Sequence, residues 1–251
     1  MKTVKIILTT SFLILTGVCL SQASILAQWT FETSQPATSG PFAAENGIFA
    51  GTSQASGFHA NPAAVYSSPA GARSAQSFSS QNWAEGDYYQ FTTSTLGYND
   101  VTVSFEAASS GTGPKNFQIA YSLDGSSFSV LDDYIVLVTG SPNPTWSASM
   151  SAANAALFAF SFDFSTVSAL NNQDLVYFRL IDSGTTSAGG GTVAGTGTSR
   201  VDDFTISASL IPTDPGSTVA VPEPATFMAG ALLVLPIFLH GLRRMWRCQR
   251  V

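Results

Sequence analysis

The sequence predicts an all-β domain, a jelly-roll-like β-sandwich, flanked by an N-terminal signal peptide and a C-terminal transmembrane helix. Three observations predict this arrangement. Short segments in the middle of the chain alternate apolar and polar residues with a period of two, as half-buried strands do. Segments rich in Gly, Ser and Asn separate them, and no long segment has the helical period. Both ends of the chain carry an apolar run beside basic residues.

The first 23 residues have the pattern of a secretory signal. Lys2 and Lys5 are the basic start, residues 6–20 are apolar, and Ser21 and Ala23 are small residues that place cleavage before Ser24. The segment predicts export through the Sec translocon and removal by signal peptidase. An uncleaved N-terminal anchor is the alternative.

Residues 24–209 are predicted to form the extracellular β-sandwich. An Asp124–Gly125 pair after one of the strands predicts a hairpin turn, and the Phe residues from 158 to 164 predict a core-facing stripe. Short helical turns are expected within 149–157 and 165–170, and a long flexible loop over 183–199, which is rich in Gly, Thr and Ser. The predicted strands are 26–31, 88–93, 101–106, 117–123, 134–138, 158–164, 175–181 and 201–208.

Composition narrows the classes of partner. Charged residues make up 10% of the 251 residues, against about 25% in ordinary soluble domains. Between positions 24 and 220 there are four basic and 15 acidic residues, a formal charge of −11. Nucleic acid is excluded, because its binding depends on Lys and Arg, and a neutral ligand or a divalent cation is favoured. Cys19 and Cys248 both lie near the ends, so the middle has no disulfide and no thiolate metal site.

The C-terminus has three parts in order. Residues 210–220 are a linker, and residues 221–251 begin with Pro222-Glu223-Pro224, continue with an apolar segment over 225–242, and end with a basic cluster that starts at Arg243 and Arg244. Eighteen helical residues at ~1.5 Å each span about 27 Å, enough for a bilayer core. The arginines should remain cytoplasmic, which places the middle of the chain outside the membrane.

This tail resembles the PEP-CTERM sorting signal, in which Pro-Glu-Pro, a hydrophobic helix and an Arg cluster follow one another at the end of the chain. The resemblance implies that an exosortase recognises the protein, removes the helix and delivers it from the inner membrane to the cell surface or extracellular matrix. A plain membrane anchor is the alternative. The middle resembles the β-sandwich regions that precede such tails, in residues 28–32, 110–114, 121–125 and 200–204. That resemblance implies a fold and no reaction.

Catalytic candidates are sparse. His59 is the only histidine outside the tail, so a Ser-His-Asp triad would have to use it, but no G-x-S-x-G motif is present and an ordinary surface histidine is expected. Glu85, Asp87 and Gln90 are similar to the E-x-D-x-x-E strand of jelly-roll glycoside hydrolases. Gln90 replaces the third carboxylate and cannot donate a proton, so a solvated loop entering a strand is expected and no catalytic residue is predicted.

Binding candidates are of two kinds. Trp83 and Trp146 lie beside loops and could stack on sugar rings, with core packing as the alternative. Glu32, Asp202 and Asp203 lie near the ends of the first and last strands and could hold a structural Ca²⁺, with solvated surface carboxylates as the alternative. No other cofactor is predicted.

Three functions follow from these features. The first is a non-enzymatic structural or adhesive role in the envelope or exopolysaccharide matrix, reached through the sorting tail. The alternative is a carbohydrate-binding module with a defined glycan ligand. A glycoside hydrolase or lyase is a weaker third, because no second cluster with catalytic character is present.

Overall fold

The computed structural model describes residues 23–212, which form two β-sheets packed face to face. A short helix, α1 (Ala152–Ala155), and 3-10 turns at Ala156–Phe158 and Ser168–Leu170 accompany them. The strands in this range are β1 (Ser24–Trp29), β2 (Phe42–Ala43), β3 (Gln54–Phe58), β4 (Tyr66–Ser67), β5 (Phe78–Gln81), β6 (Tyr88–Thr93), β7 (Tyr98–Ser109), β8 (Asn116–Ser122), β9 (Ser129–Ile135), β10 (Leu137–Val138), β11 (Ala159–Asp163), β12 (Val176–Asp182) and β13 (Thr198–Leu210).

The first sheet is built around the long antiparallel pair β7 and β13. The first part of β13 pairs with β5 and the second part with β1, so two short strands share one edge of a long one. On the other side, β7 pairs antiparallel with β11 and parallel with β10. Strand β4 extends the sheet beyond β5.

The second sheet has the order β2-β3-β6-β12-β8-β9, and every pair in it is antiparallel. Its central strands β6 and β12 alternate strictly between buried and half-buried residues. This alternation is the period-two pattern of a sheet that packs one face on the core and leaves the other to solvent.

Aromatic side chains from both sheets form the centre of the core. Phe91 of the second sheet stacks on Phe204 of the first, with ring centroids 3.5 Å apart and planes 3° apart. Trp29 meets both rings edge-on, at 5.2 Å and 6.0 Å. All three side chains are fully buried. Burial of this much aromatic surface is the main force that holds the two sheets together.

The predicted β-sandwich is confirmed, and every predicted strand has a counterpart. The segment 134–138 divides in two, because β9 ends in the second sheet and β10 joins the first, with buried Val136 between them. The Asp124–Gly125 turn joins β8 to β9 as predicted. Both predicted helical turns are present. The sequence patterns missed the short strands β2 and β4 as well as β3 and β5. Strand β5 carries serines at buried positions where a core strand normally carries apolar residues.

The Phe stripe is only partly as predicted. Phe160 and Phe162 pack on Phe105, at 5.4 Å and 6.0 Å between ring centroids. Phe158 lies before β11 in a 3-10 turn and packs instead on Trp146, at 5.8 Å. It belongs to a separate cluster of buried residues, formed with Ala72, Ala108, Trp146, Met150 and Ala155.

The Gly-rich segment before β13 is packed, which corrects the expectation of a flexible loop. Its backbone bonds to the 111–115 loop through Ala188 N–H to Gly113 O at 2.8 Å and Gly189 N–H to Gly111 O at 2.9 Å. A Cβ on Gly197 would lie 2.0 Å from Thr112 O. Gly189 and Gly197 therefore permit close backbone approach, whereas Gly190 is exposed and a Cβ on it would meet no atom within 4 Å.

Within residues 23–212, no helix is long and apolar enough to cross a membrane. The predicted signal peptide, the sorting tail and most of the predicted linker lie outside the described residues. Strand β1 begins at Ser24, and β13 ends at Leu210.

Replacing Phe204 with Ala should lower the free energy of unfolding by about 3–5 kcal/mol, because it removes the ring that stacks on Phe91 and leaves a cavity between the sheets. Urea unfolding measures the change. Leu157→Ala is the control, since Leu157 is 52% exposed and its truncation should cost much less. Equal losses for the two variants would show that the Phe204 stack is not central to the core.

Candidate functional site

The outer face of the second sheet carries a group of aromatic side chains around a single arginine. Strand register places Phe58 beside Tyr88 and Gln90 beside Arg179, with Tyr177 in the next row. Their neighbours along the strands, among them Tyr89, Phe91 and Phe178, are buried in the core, so period-two alternation turns this set outward. We call it the aromatic face, and it consists of Phe58, Tyr88, Gln90, Phe128, Tyr177 and Arg179.

Arg179 is held between two rings. Its guanidinium carbon lies 3.8 Å from the centroid of Tyr88 and 3.7 Å from that of Phe128. Its Nε–H donates to Gln90 Oε1 at 2.8 Å. Partial burial lowers its pKa from the usual value, and the ring of Tyr88 opposes that shift. The cation–π contacts and the bond to Gln90 together fix the orientation of this guanidinium.

The remaining aromatic side chains extend the face on either side. Phe58 is 48% exposed and stacks on Tyr88, with centroids 5.1 Å and planes 18° apart. Tyr177 packs under the β8–β9 turn, where a Cβ on Gly125 would lie 2.9 Å from its ring. Gly125 has a φ of +70°, so both the turn and the close contact require glycine.

A groove of 440 Å³ lies beside the aromatic face, at the β8–β9 edge of the same sheet. Asn116, Gln118, Asp133 and Ser183 contribute polar groups, and Ile135 is exposed beside them. In register, Gln118 pairs with Ile181, which pairs in turn with Tyr88. The groove therefore continues a row of the aromatic face.

Sequence reasoning missed this face. The motif Tyr88-Tyr89-Gln90-Phe91 contains the signal, because alternate residues of a strand point to opposite sides and the motif offers aromatic residues to both. The contact between Phe128 and Arg179 could not be predicted, since it depends on how the β8–β9 hairpin folds back over β12.

The two predicted sugar-stacking tryptophans are buried, so the structure contradicts that role for them. Trp83 is 5% exposed, and its Nε1–H donates to Ser80 O at 3.0 Å. It meets Tyr89 edge-on at 5.1 Å. Trp146 is 3% exposed in the cluster outside the first sheet, and Arg200 lies 5.5 Å from its ring centroid. Neither ring offers a face to a ligand.

His59 is not an ordinary surface histidine, which corrects the expectation. Its Nδ1 lies 2.8 Å from Asp87 Oδ2, and its Nε2 lies 2.9 Å from Ser80 Oγ. Both the His59 and Asp87 side chains are 1% exposed. The Ser80 hydroxyl also bonds to Tyr89 Oη at 2.8 Å. Burial lowers the pKa of His59, and Asp87 partly opposes that shift.

This Ser80–His59–Asp87 chain has the connectivity of a catalytic triad but no access for a substrate. Ser80 is 1% exposed, and Trp83 meets the imidazole edge-on at 4.6 Å. A serine nucleophile must reach a carbonyl and an oxyanion hole. The network instead ties the loop after β3 to β5 and β6, as buried polar groups that satisfy one another do.

The hydrolase-like segment also differs from expectation. Asp87 is buried, accepting N–H groups from Ala60 at 2.8 Å and Ala84 at 2.7 Å in addition to its bond with His59. Gln90 lies on the aromatic face and Glu85 in the exposed turn before β6. Glu85, Asp87 and Gln90 therefore lie in three different environments and do not face one common cleft.

The predicted calcium ligands are not assembled into a site. Among residues 23–212, no group of three or more His, Cys, Asp or Glu side chains is placed to hold a metal ion. Asp202 is fully buried and accepts N–H groups from Ala72 at 3.0 Å and Asp203 at 2.9 Å, together with the Ser74 hydroxyl. Glu32 accepts Gln76 N–H at 2.8 Å. Asp202 and Glu32 therefore hold the 72–76 loop against the sheet through hydrogen bonds.

Asp203 occupies the irregularity where β13 changes register against β7. Its φ is +47°, which is the left-handed region that Asp tolerates better than most residues. Burial raises its pKa, with further contributions from the nearby charges of Glu32 and Glu45. The irregularity explains how Asp202 and Phe204 reach opposite faces of the sheet with one residue between them.

The predicted sorting residues lie outside the described residues. They are Pro222, Glu223, Pro224, Arg243 and Arg244.

Comparison with known proteins identifies no family for this chain. No family model matches the chain, and no curated protein matches it. Among solved structures, TmCBM61 in complex with β-1,4-galactotriose is 9% identical, with 62% of this chain and 87% of that chain covered and a TM-score of 0.35. The K1 cleaved adhesin domain of Lys-gingipain from Porphyromonas gingivalis W83 is 14% identical, with 72% and 97% covered and a TM-score of 0.37.

A third solved structure is the CBM22-1–GH10 part of xylanase 10B from Clostridium thermocellum, complexed with xylohexaose. It is 13% identical, with 78% of this chain and 30% of that chain covered and a TM-score of 0.36. At these identities and TM-scores the matches carry no argument about what this chain binds.

Stability should fall as the pH rises from 6.5, the ordinary pKa of histidine, to about 9. Burial raises the pKa of Glu106 and Asp182 to about 7 and that of Asp202 to about 8. The folded state therefore binds more protons than the unfolded state in this window and loses stability as they dissociate. His59, whose pKa is lowered, contributes only below the window.

Thermal unfolding across this window measures the effect, and Glu106→Gln should reduce the pH dependence because it removes one of the three carboxyls. Asp124→Asn is the control, since Asp124 has a pKa lowered to about 2 by hydrogen bonds in its turn. A melting temperature that stays constant or rises with pH would contradict the prediction.

Proposed function

We propose that this domain is a non-catalytic carbohydrate-binding module that holds a glycan on the aromatic face of its second sheet. The observation that supports it is an outward-facing row of aromatic rings around a fixed arginine and glutamine. We also assign the sandwich to the jelly-roll type, with the ligand lying across one sheet. The aromatic face replaces the two tryptophans as the surface that meets sugar.

The chemistry of the face matches that of a sugar ring. A pyranose presents apolar C–H groups on its faces and hydroxyls around its rim. The exposed ring of Phe58 offers apolar surface to the C–H groups, and the half-buried Tyr88 supports it from below. Arg179 and Gln90 supply hydrogen-bonding groups at fixed positions, which give orientation and specificity. An open sheet face also leaves room for a polymer to continue beyond the binding site.

Binding without hydrolysis is proposed because the aromatic face itself includes no carboxylate. Glycosidases usually place two carboxyl groups on either side of the scissile bond. Asp133 in the adjacent groove is one acidic group, and no second acidic residue lines that groove. The aromatic face and the adjacent groove therefore give the glycoside hydrolase or lyase alternative no supporting geometry.

We further propose that the protein does this work outside the cell, in the envelope or exopolysaccharide matrix. The signal peptide and the PEP-CTERM-like tail support this location. In this scheme the tail holds the chain in the inner membrane until an exosortase cleaves it. A structural or adhesive role and glycan binding are then compatible, because attachment to a matrix requires a contact with its polymers.

Binding to a panel of immobilised polysaccharides, including the host's own exopolymer, tests the carbohydrate-binding proposal. Saturable binding is expected, and Phe58→Ala or Tyr88→Ala should weaken it about 10-fold, because the first removes the exposed stacking surface and the second removes the ring that supports Phe58 and orients Arg179. Leu157→Ala is the matched control, since it truncates an exposed apolar side chain outside the second sheet. Absence of binding by folded protein, or equal loss in all three variants, would overturn the proposal.

Sorting is tested separately by Glu223→Ala and by the double change of Arg243 and Arg244 to Ala. Each should leave full-length protein in the inner membrane, because exosortase recognition is expected to need both the motif and the basic tail. Fractionation and immunoblotting of cells measure the distribution. The control is Arg250→Ala, a basic residue beyond the cluster. Normal surface delivery of the first two variants would contradict the sorting proposal.

A further inference from the structure

Arg179 is a cation without an acidic partner in a domain dominated by acidic residues. The other two arginines of the described residues interact with carboxylates. Arg73 lowers the pKa of Glu106, and Asp202 raises the pKa of Arg200. Within residues 23–212, the one ion pair that meets a 4.0 Å criterion joins His59 and Asp87. Partial burial lowers the pKa of Arg179, and no carboxylate is among the groups that oppose this shift.

The surroundings of Arg179 leave one part of the guanidinium open. The ring centroids of Tyr88 and Phe128 both lie less than 4 Å from the guanidinium carbon, so these two rings cover the guanidinium group. The Nε–H group of Arg179 already donates a hydrogen bond to Gln90. The remaining N–H groups belong to the two Nη atoms, and they lie in the guanidinium plane. A ligand can therefore bond to this group through its edge.

An edge-on guanidinium favours a planar anion. The two N–H groups of that edge match the two oxygens of a carboxylate, and the resulting pair of charge-assisted bonds is stronger than bonds to a neutral hydroxyl. A half-buried cation has lost part of its hydration, so the bonds that an anion offers to the open Nη edge replace bonds to water. No carboxylate among residues 23–212 lies within 4.0 Å of this guanidinium, and salt weakens the repulsion from acidic residues that lie further away.

We infer that Arg179 makes the aromatic face selective for acidic glycans, with the carboxylate of a uronic acid residue seated on its Nη edge and the sugar ring packed on the adjacent aromatic side chains. This inference rests on the proposed carbohydrate-binding function and names the class of its ligand. It revises the preference for neutral ligands that the net charge of the chain suggests, because a cation in direct contact with the ligand outweighs charges that form no ion pair with it.

The test compares polygalacturonate and alginate with the same polymers after reduction of their carboxyl groups to alcohols. Linkage and ring hydroxyls are unchanged by the reduction, so the comparison isolates the carboxylate. The full-length chain is used in a polyoxyethylene detergent, which has no sugar headgroup to compete. The unreduced polymer of at least one pair should bind about 10- to 100-fold more tightly than its reduced form, as expected for a charge-assisted pair.

Three variants assign the effect to Arg179. Arg179→Gln should abolish the preference for the unreduced polymer, and Arg179→Lys should retain only part of it, because an ammonium keeps the charge and loses the paired N–H groups. Lys115→Gln is the matched control, since it removes one positive charge just before β8 and should leave the preference unchanged. Thermal unfolding confirms that every variant is folded.

The outcomes separate the two proposals. Equal binding of reduced and unreduced polymers, unaffected by Arg179→Gln, would overturn the acidic-glycan inference and leave carbohydrate binding intact. Failure of the folded protein to bind any polymer, including those of the neutral panel, would overturn both. Tighter binding to dextran sulfate than to either uronate polymer, or an equal effect of Lys115→Gln, would show attraction to polyanions in general and would overturn the carboxylate assignment.

Discussion

The contact between Phe91 and Phe204 is the constraint on which the rest of this structure depends. It joins the two sheets at their centre, and Trp29 closes around it from β1. Once these rings face inward, period-two geometry determines the direction of every other side chain on β6 and on the second part of β13. The chain has no cysteine between positions 24 and 220, so no disulfide crosslinks this part of it. Its stability depends on packing such as this aromatic contact, whereas many small domains depend on disulfides.

The same constraint produces the candidate binding surface. Because Phe91 and Tyr89 are directed into the core, Tyr88 and Gln90 must be directed outward, where they meet Arg179 from the neighbouring strand. The β8–β9 hairpin then brings Phe128 over the guanidinium. The candidate binding face lies on the side of the sheet that does not pack on the core. Its central arginine is oriented by contacts that are present without a ligand, an arrangement that lowers the entropy cost of binding in the proposed function.

Buried polar groups have a different role, since their hydrogen bonds hold loops in place. His59, Asp87 and Ser80 connect three segments beneath Trp83, and Asp202 closes the 70–76 loop over the first sheet. Sequence reasoning considered His59, Asp87 and Asp202 as catalytic or metal-binding candidates and did not single out Ser80. Their burial explains their role, because an unpaired carboxylate or imidazole in such a place would be strongly destabilising.

The sequence alone was enough to predict a β-sandwich, because period-two alternation and turn residues are local patterns. They can be recognised without knowing which strands pair with one another. The sequence also predicted the Asp124–Gly125 hairpin and most strands. Only the tertiary structure decided which aromatic residues are exposed. Trp83 and Phe58 are both large aromatic residues beside loops, but the first is covered by β6 and β8 residues and the second is exposed on its sheet. Exposure depends on contacts between segments far apart in the chain, and no local pattern records them.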